Sequence, residues 1–393
     1  MSAASIRGKN MGKTGAFVFQ IALLLLALVG GWLGFSYIGH VSGQVYWDAP
    51  ALLGAVLVTV VAAVIGLLLN VVLHEAGHLI CGLLTGYGFV LYSVFGQTFM
   101  KEKGKLVRKR YSFAGAGGGC MLSPPDRTNG TYPFKLYISG GFIVDFLLCI
   151  LFLILFFLFA PTAALWARVF LVIAIVSAFL GLINLAPHKV ALPSDGYILF
   201  NLGKDKNAEM RHGFWSVLKI QTLIAEGIRP RDIPTKLFDW VDMDALFDIF
   251  VFETARNRYL SYLDRLELSK AEELMQTLSK NMQDMPDAVQ LSCNVELLFH
   301  EMIGKCRQEK IDSLFDKRLK DFMKAASSDI SVCRTLYTYA RLILKDETKA
   351  KEEMELFQKA CSMPLHSGAA PGEQELIAIV DEIADERDAT LEP

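Results

Sequence analysis

Residues 51–84 read ALLGAVLVTVVAAVIGLLLNVVLHEAGHLICGLL, an apolar run that closes on His74-Glu75-Ala76-Gly77-His78. About 20 apolar helical residues cross the hydrocarbon core of a bilayer. This run is longer, so the part carrying the histidines is expected toward one membrane face or inside a protein-lined cavity. Residues four apart share a helix face. Both imidazoles can therefore reach one tetrahedral ion, with Glu75 beside the water that such an ion activates. Polar groups in lipid are costly, about 2.5–3.5 kcal/mol for a centrally placed charge, which weighs toward a function. The bland alternative is a chance His-Glu-x-x-His match, and alone the pattern is only suggestive.

Hydrophobic residues make up 53% of the 393-residue chain and charged residues 20%, but the two are segregated. Residues 1–204 hold 14 Lys and Arg against 6 Asp and Glu, and residues 205–393 hold 25 against 35, giving net charges of +8 and −10. Two domains are expected: a transmembrane core over 1–204 and a soluble domain over 205–393. Four spans are expected near 15–38, 51–84, 137–160 and 165–186. The first is too long for a signal-peptide core and reads as an uncleaved span.

Short cytoplasmic loops are rich in Lys and Arg. Arg7, Lys9 and Lys13 precede the first span, and eight cations from Lys101 to Lys135 lie between the second and third, whereas residues 39–50 and the turn at Pro161 have none. Both termini and the His78 end of the second span are thus expected in the cytoplasm of a multi-pass cell-membrane protein. The seven cysteines show no CxxC pair and read as reduced packing thiols; Cys81, one turn past His78, is a weak ligand candidate.

A catalytic zinc site takes three protein ligands and one open position. Asp195 is the only acidic residue between Asp145 and Asp205, and by topology it returns to the level of His78. It is the natural third ligand, with His188 as the rival. Asn184, at the end of the fourth span, is a candidate for substrate or oxyanion contact, since its amide needs a partner in an apolar helix. Asp145 either orients a histidine or is a solvated carboxylate near a helix start.

His-Glu-x-x-His on a membrane helix, followed by Asn184-Leu185-Ala186-Pro187 and Pro193-Ser194-Asp195-Gly196, resembles the site-2 protease family of intramembrane zinc metalloproteases over roughly residues 50–203. The resemblance implies zinc on His74, His78 and Asp195, Glu75 as general base, and Asn184 near the site. Gly140-Gly141-Phe142-Ile143-Val144-Asp145 is similar to that family's Gly-Pro-x-x-Asn element, with Phe142 for Pro and Asp145 for Asn. The loop through His188–Leu192 is longer by about three residues than the family's, and no PDZ or CBS segment is present.

Leu91–Phe95 and Leu106–Phe113, around Lys103-Gly104, read as a β-hairpin. Its edge could hold an unwound substrate by strand addition, or the hairpin could simply close the loop with its lysines on anionic lipid. Gly115–Cys120 reads as a tight re-entrant turn. In the second half, segments at Ser269, Gln308 and Thr348 recur 39 and 40 residues apart, each after an amphipathic run. They suggest stacked helical hairpins loosely like tetratricopeptide repeats. Residues 365–373 and the last few read as linker and tail.

The expectation is a mainly α, polytopic protease core with a small β-hairpin and a soluble helical-repeat domain. It would act as a zinc endopeptidase on transmembrane or membrane-proximal segments near the cytoplasmic face. Its partners would be the bilayer, a membrane-associated substrate and a cytoplasmic protein docked on 205–393, with no nucleic acid. The alternative is a catalytically silent scaffold that docks partners through its acidic half. A metal transporter is a third reading. Glu75 weighs against both, since holding zinc needs no general base.

Overall fold

The computed structural model describes residues 13–43, 49–102, 105–110, 117–127, 131–188, 193–243, 246 and 248–389. Among these, four helices are long and apolar enough to cross a membrane: α1 (Lys13–Ser42), α2 (Ala49–Leu84), α3 (Lys135–Phe159) and α4 (Ala164–Leu185). Their outward faces expose Leu25, Trp32, Leu53, Leu57, Leu147 and Phe157, among others. So much uncovered apolar surface fits lipid as the surrounding solvent. At 1.5 Å per residue the 36-residue α2 is about 54 Å long, well beyond a hydrocarbon core of about 30 Å. Gly86, at φ +87°, ends it in the left-handed conformation open to glycine.

α3 packs between α2 and α4, and α1 lies against α4. Gly77 of α2 and Gly140 of α3 meet backbone to backbone. A Cβ on either would stand 2.3 Å from the other's carbonyl oxygen. Small residues at a crossing let two membrane helices approach this closely, and here the approach draws the histidine face of α2 onto α3.

Between α2 and α3 lies a four-stranded antiparallel sheet in the order β3-β2-β1-β4, made of β1 (Gly88–Val94), β2 (Gln97–Glu102), β3 (Lys105–Arg110) and β4 (Gly118–Ser123). Phe95 and Gly96, at φ +48° and +73°, form a two-residue turn of the type whose twist suits a hairpin. The expected hairpin is therefore corrected. Leu91–Val94 pairs with Gln97–Met100, not directly with the strand after Lys103-Gly104. The expected re-entrant turn is corrected as well: Gly118–Cys120 is strand, paired to β1. Lys103-Gly104, the Tyr111-Ser112-Phe113 end of the expected second arm, and Gly115-Ala116 lie outside the described residues. The sheet folds back along α2, and the Tyr92 hydroxyl donates to the Val72 carbonyl at 2.6 Å.

After α4 the chain forms α5 (Asp195–Leu202) and α6 (Ala208–Ala225). Next come α7 (Ile249–Asp264), α8 (Leu268–Asn281), α9 (Asp287–Ile303), α10 (Gln308–Leu314), α11 (Lys317–Ala325), α12 (Ile330–Tyr339), α13 (Glu347–Cys361) and α14 (Ala370–Ala389). The recurring segments at Ser269, Gln308 and Thr348 fall in α8, α10 and α13, which pack on α7, α9 and α12 respectively. Phe252, Tyr259, Met275, Phe299, Phe357 and Val380 share one core, and Ile311 of α10 packs in a second with Leu298, Met302 and Leu319. Arg334, wholly buried, pairs there with Glu296 and Glu373 and lies over the Phe299 ring. Residues 370–373 are no linker. They open α14, and a Cβ on Gly372 would stand 1.8 Å from Asp264 Oδ1, so glycine permits the packing. The last four residues lie outside the described set.

α6 joins this helical array to the membrane helices. Trp215 Nε1 donates to Pro125 O (2.9 Å), the Tyr132 hydroxyl to Arg211 O (2.8 Å), and Arg211 to Leu202 O (2.6 Å). Tyr87, Leu122, Tyr137, Tyr197 and Phe214 form one apolar cluster at the junction.

Candidate metal centre

His74 and His78 sit one turn apart on the face of α2 that Gly77 presses onto α3. Each ring is oriented through its Nδ1. His74 Nδ1 lies 2.8 Å from Asp145 Oδ2, and His78 Nδ1 2.9 Å from the Tyr137 carbonyl. A carbonyl only accepts, so His78 Nδ1 carries a proton, and the Asp145 carboxylate draws the proton of His74 to its Nδ1 in the same way. Both Nε2 lone pairs then face inward.

Asp195 completes the group. It begins α5, whose first turn is capped by Ser194: the Ser194 hydroxyl donates to Ala186 O (2.6 Å) and accepts from Tyr197 N (3.1 Å), which folds the loop after α4 back on itself. A Cβ on Gly196 would stand 1.8 Å from Leu185 O, so the residue after Asp195 must be glycine for α5 to lie against the end of α4.

The three acceptor atoms form a nearly equilateral triangle. His74 Nε2 is 3.2 Å from His78 Nε2, and Asp195 Oδ2 is 3.3 Å from each. Asp195 Oδ2 is buried and has no hydrogen-bond donor. Three lone-pair atoms converging without a donor repel one another unless a cation lies among them. Tetrahedral coordination with ligand distances of about 2.0–2.1 Å sets donors about 3.3–3.4 Å apart, which matches this triangle. Among the described residues this is the one group of three or more His, Cys, Asp or Glu side chains suited to hold a metal ion.

A Cβ on Gly141 would stand 2.4–2.5 Å from ring atoms of both histidines, so its missing side chain leaves them room. Glu75 is half-buried, and among the described residues its carboxylate makes no hydrogen bond. It rests against the start of β4, where a Cβ on Gly118 would be 2.9 Å from Glu75 Cγ.

The sequence-expected residues divide accordingly. His74, His78 and Asp195 come together with Glu75 beside them. Of the two readings of Asp145, orientation of a histidine fits: it lies three turns into α3, wholly buried, and not near a solvated helix start. Asn184 is half-buried on the last turn of α4 and is not hydrogen-bonded to the group. His188 and Cys81 lie outside the triangle. Sequence reading missed the Tyr137 carbonyl, a main-chain acceptor that no side-chain pattern announces. It also missed Gly141 as the floor of the site, although the Gly140-Gly141 pair was a usable signal.

No family model, curated protein or solved structure matches the chain.

Proposed function

We propose that the chain is a zinc-dependent intramembrane metalloendopeptidase, as its resemblance to site-2 proteases implies. It would cleave transmembrane or membrane-proximal peptide segments near the cytoplasmic face. The observation that carries this reading is the donorless triangle of His74, His78 and Asp195 with a free general base, Glu75, next to it on a helix fit to span a membrane. Two imidazoles, one carboxylate and an open fourth position are the donor set of catalytic zinc.

When bound, zinc would polarise a peptide carbonyl and make water acidic enough to yield a nucleophile near neutral pH. Glu75 takes the proton from the attacking water and delivers it to the leaving amine. Asp145 and the Tyr137 carbonyl keep the imidazole tautomers fixed. Asn184 contacts the substrate.

A peptide bond inside a membrane helix has its carbonyl hydrogen-bonded and must be unwound before attack. β4 pairs with β1 on one side only and starts against Glu75, so an unwound segment adding to its other edge would lie at the base. Proline at Cys120 should lower cleavage and spare metal content. Unchanged turnover would remove strand addition from the account.

The basic segments favour the cytoplasm for both termini and for the acidic, tetratricopeptide-like half, which would dock a protein partner there. Detergent-purified wild type and Glu75→Gln, compared on a panel of single-span peptides, test the proposal. Wild type should cleave and Glu75→Gln should not. Stoichiometric metal without any difference in cleavage would favour a silent scaffold.

A further inference from the structure

β3 is an outer strand of the sheet that follows the metal end of α2. The register runs Tyr92↔Phe99↔Arg108 and Val94↔Gln97↔Arg110 across three strands. The Tyr92 hydroxyl is bonded to the Val72 carbonyl, which ties this sheet to α2 two residues before His74. Twenty helical residues counted from Leu52, where the apolar span begins, end at about Val71. A span of that length would give way to lipid headgroups next to the point where the sheet is tied to α2.

Lys101, Lys105, Arg108 and Arg110 are all exposed. Among the described residues none has an ion pair, and Arg108 donates only to the neutral Gln97 side chain (2.8 and 2.9 Å). Leu106, on the same face as Lys101 and Arg108, is 68% exposed. Lys101, Arg108 and Arg110 share the Leu106 face, with Lys105 on the other face of the same edge, and uncompensated cations around an exposed leucine match a surface of lipid phosphates. The acidic second half of the chain is the other source of negative charge, but it meets the sheet through α6 on β4, the strand farthest from β3.

The geometry points to β3 as a docking face for anionic phospholipid headgroups, which seats the sheet against the membrane beside the metal centre. This inference rests on the membrane-spanning helices and not on protease activity, so the two can fail separately.

The test is amide hydrogen exchange over residues 97–110 in the full chain, reconstituted in nanodiscs of phosphatidylcholine alone or with about one part in three phosphatidylglycerol. Each cation near an anionic surface contributes about 1 kcal/mol, so exchange should slow at least roughly tenfold with the anionic lipid. The slowing should vanish at about 1 M salt, where the screening length is roughly 3 Å. It should also vanish in the Lys101→Gln, Lys105→Gln, Arg108→Gln, Arg110→Gln variant, with an unchanged melting temperature as the control for folding. Equal exchange in the two lipids would overturn the inference. So would protection that is independent of lipid yet lost in the variant, which would reveal a protein occupant. If that variant fails to fold, the salt and lipid dependence of the wild type decides.

Discussion

Asp145 Oδ2 stands 2.8 Å from His74 Nδ1, and the carboxylate that makes this contact has no exposed surface at all. A buried carboxylate behind a ligating imidazole fixes the ring and raises its basicity. Removing such partners commonly lowers metal affinity 10- to 100-fold. Asp145→Asn should therefore weaken zinc binding by about that factor, as read by chelator competition. Equal affinity would assign Asp145 a packing role only.

Gly141 gives a sharper handle. A methyl group there would stand 2.4–2.5 Å from His74 and His78 ring atoms, so Gly141→Ala should push the imidazoles apart and abolish stoichiometric metal. Overpacking of this kind costs about 1–3 kcal/mol. Gly31→Ala, whose new methyl group would meet its nearest neighbour at an ordinary 3.8 Å, should keep the metal and the melting temperature of the wild type. Full zinc occupancy in Gly141→Ala would show that the ring positions are not set by this contact.

The span limits, the two histidines and Asp195 were legible because each is carried by local chemistry: apolar run length, four-residue spacing, and a lone carboxylate in an apolar half. The sheet was only half legible. Gln97–Glu102 alternates too weakly to declare a strand, and its turn uses Phe95 at positive φ where an Asn-Gly pair would have signalled a hairpin. Ser367-Gly368-Ala369-Ala370-Pro371-Gly372 has a linker's composition, yet its last three residues open α14, where Gly372 lets the helix pack on Asp264. Contacts of that kind depend on a partner distant in the chain, and no window of sequence contains both members.

Gly118 separates base placement from metal binding. Its alanine variant would put a methyl group 2.9 Å from Glu75 Cγ and displace the carboxylate. Cleavage by Gly118→Ala should fall roughly 10- to 100-fold with zinc content unchanged, since small misplacements of a catalytic group cost about that much. Loss of zinc together with activity would mean that the strand supports the ligands and not the base.

The helical half carries a pH signature. Burial pushes His300 down to about 4; the neighbouring Glu296 opposes the shift and Arg334 adds to it. The ring lies 3.1 Å from the Tyr259 hydroxyl. A base with a depressed folded pKa stays neutral while the unfolded chain takes up a proton. Its contribution is therefore full above pH 6.5 and is lost as pH falls toward 4. Thermal unfolding of wild type should lose about 3 kcal/mol more across that window than unfolding of His300→Gln. Parallel pH profiles for the two proteins would contradict it.

The central claim is that Asp195 joins the two imidazoles as the third ligand. Metal analysis with X-ray absorption at the zinc edge, on wild type and Asp195→Ala, tests it most directly. The account predicts one zinc per wild-type chain, bound by nitrogen and oxygen at about 2.0–2.1 Å without sulfur, and at least roughly tenfold weaker retention in Asp195→Ala. A metal-free wild type, a sulfur ligand such as Cys81, or undiminished binding in Asp195→Ala would contradict it.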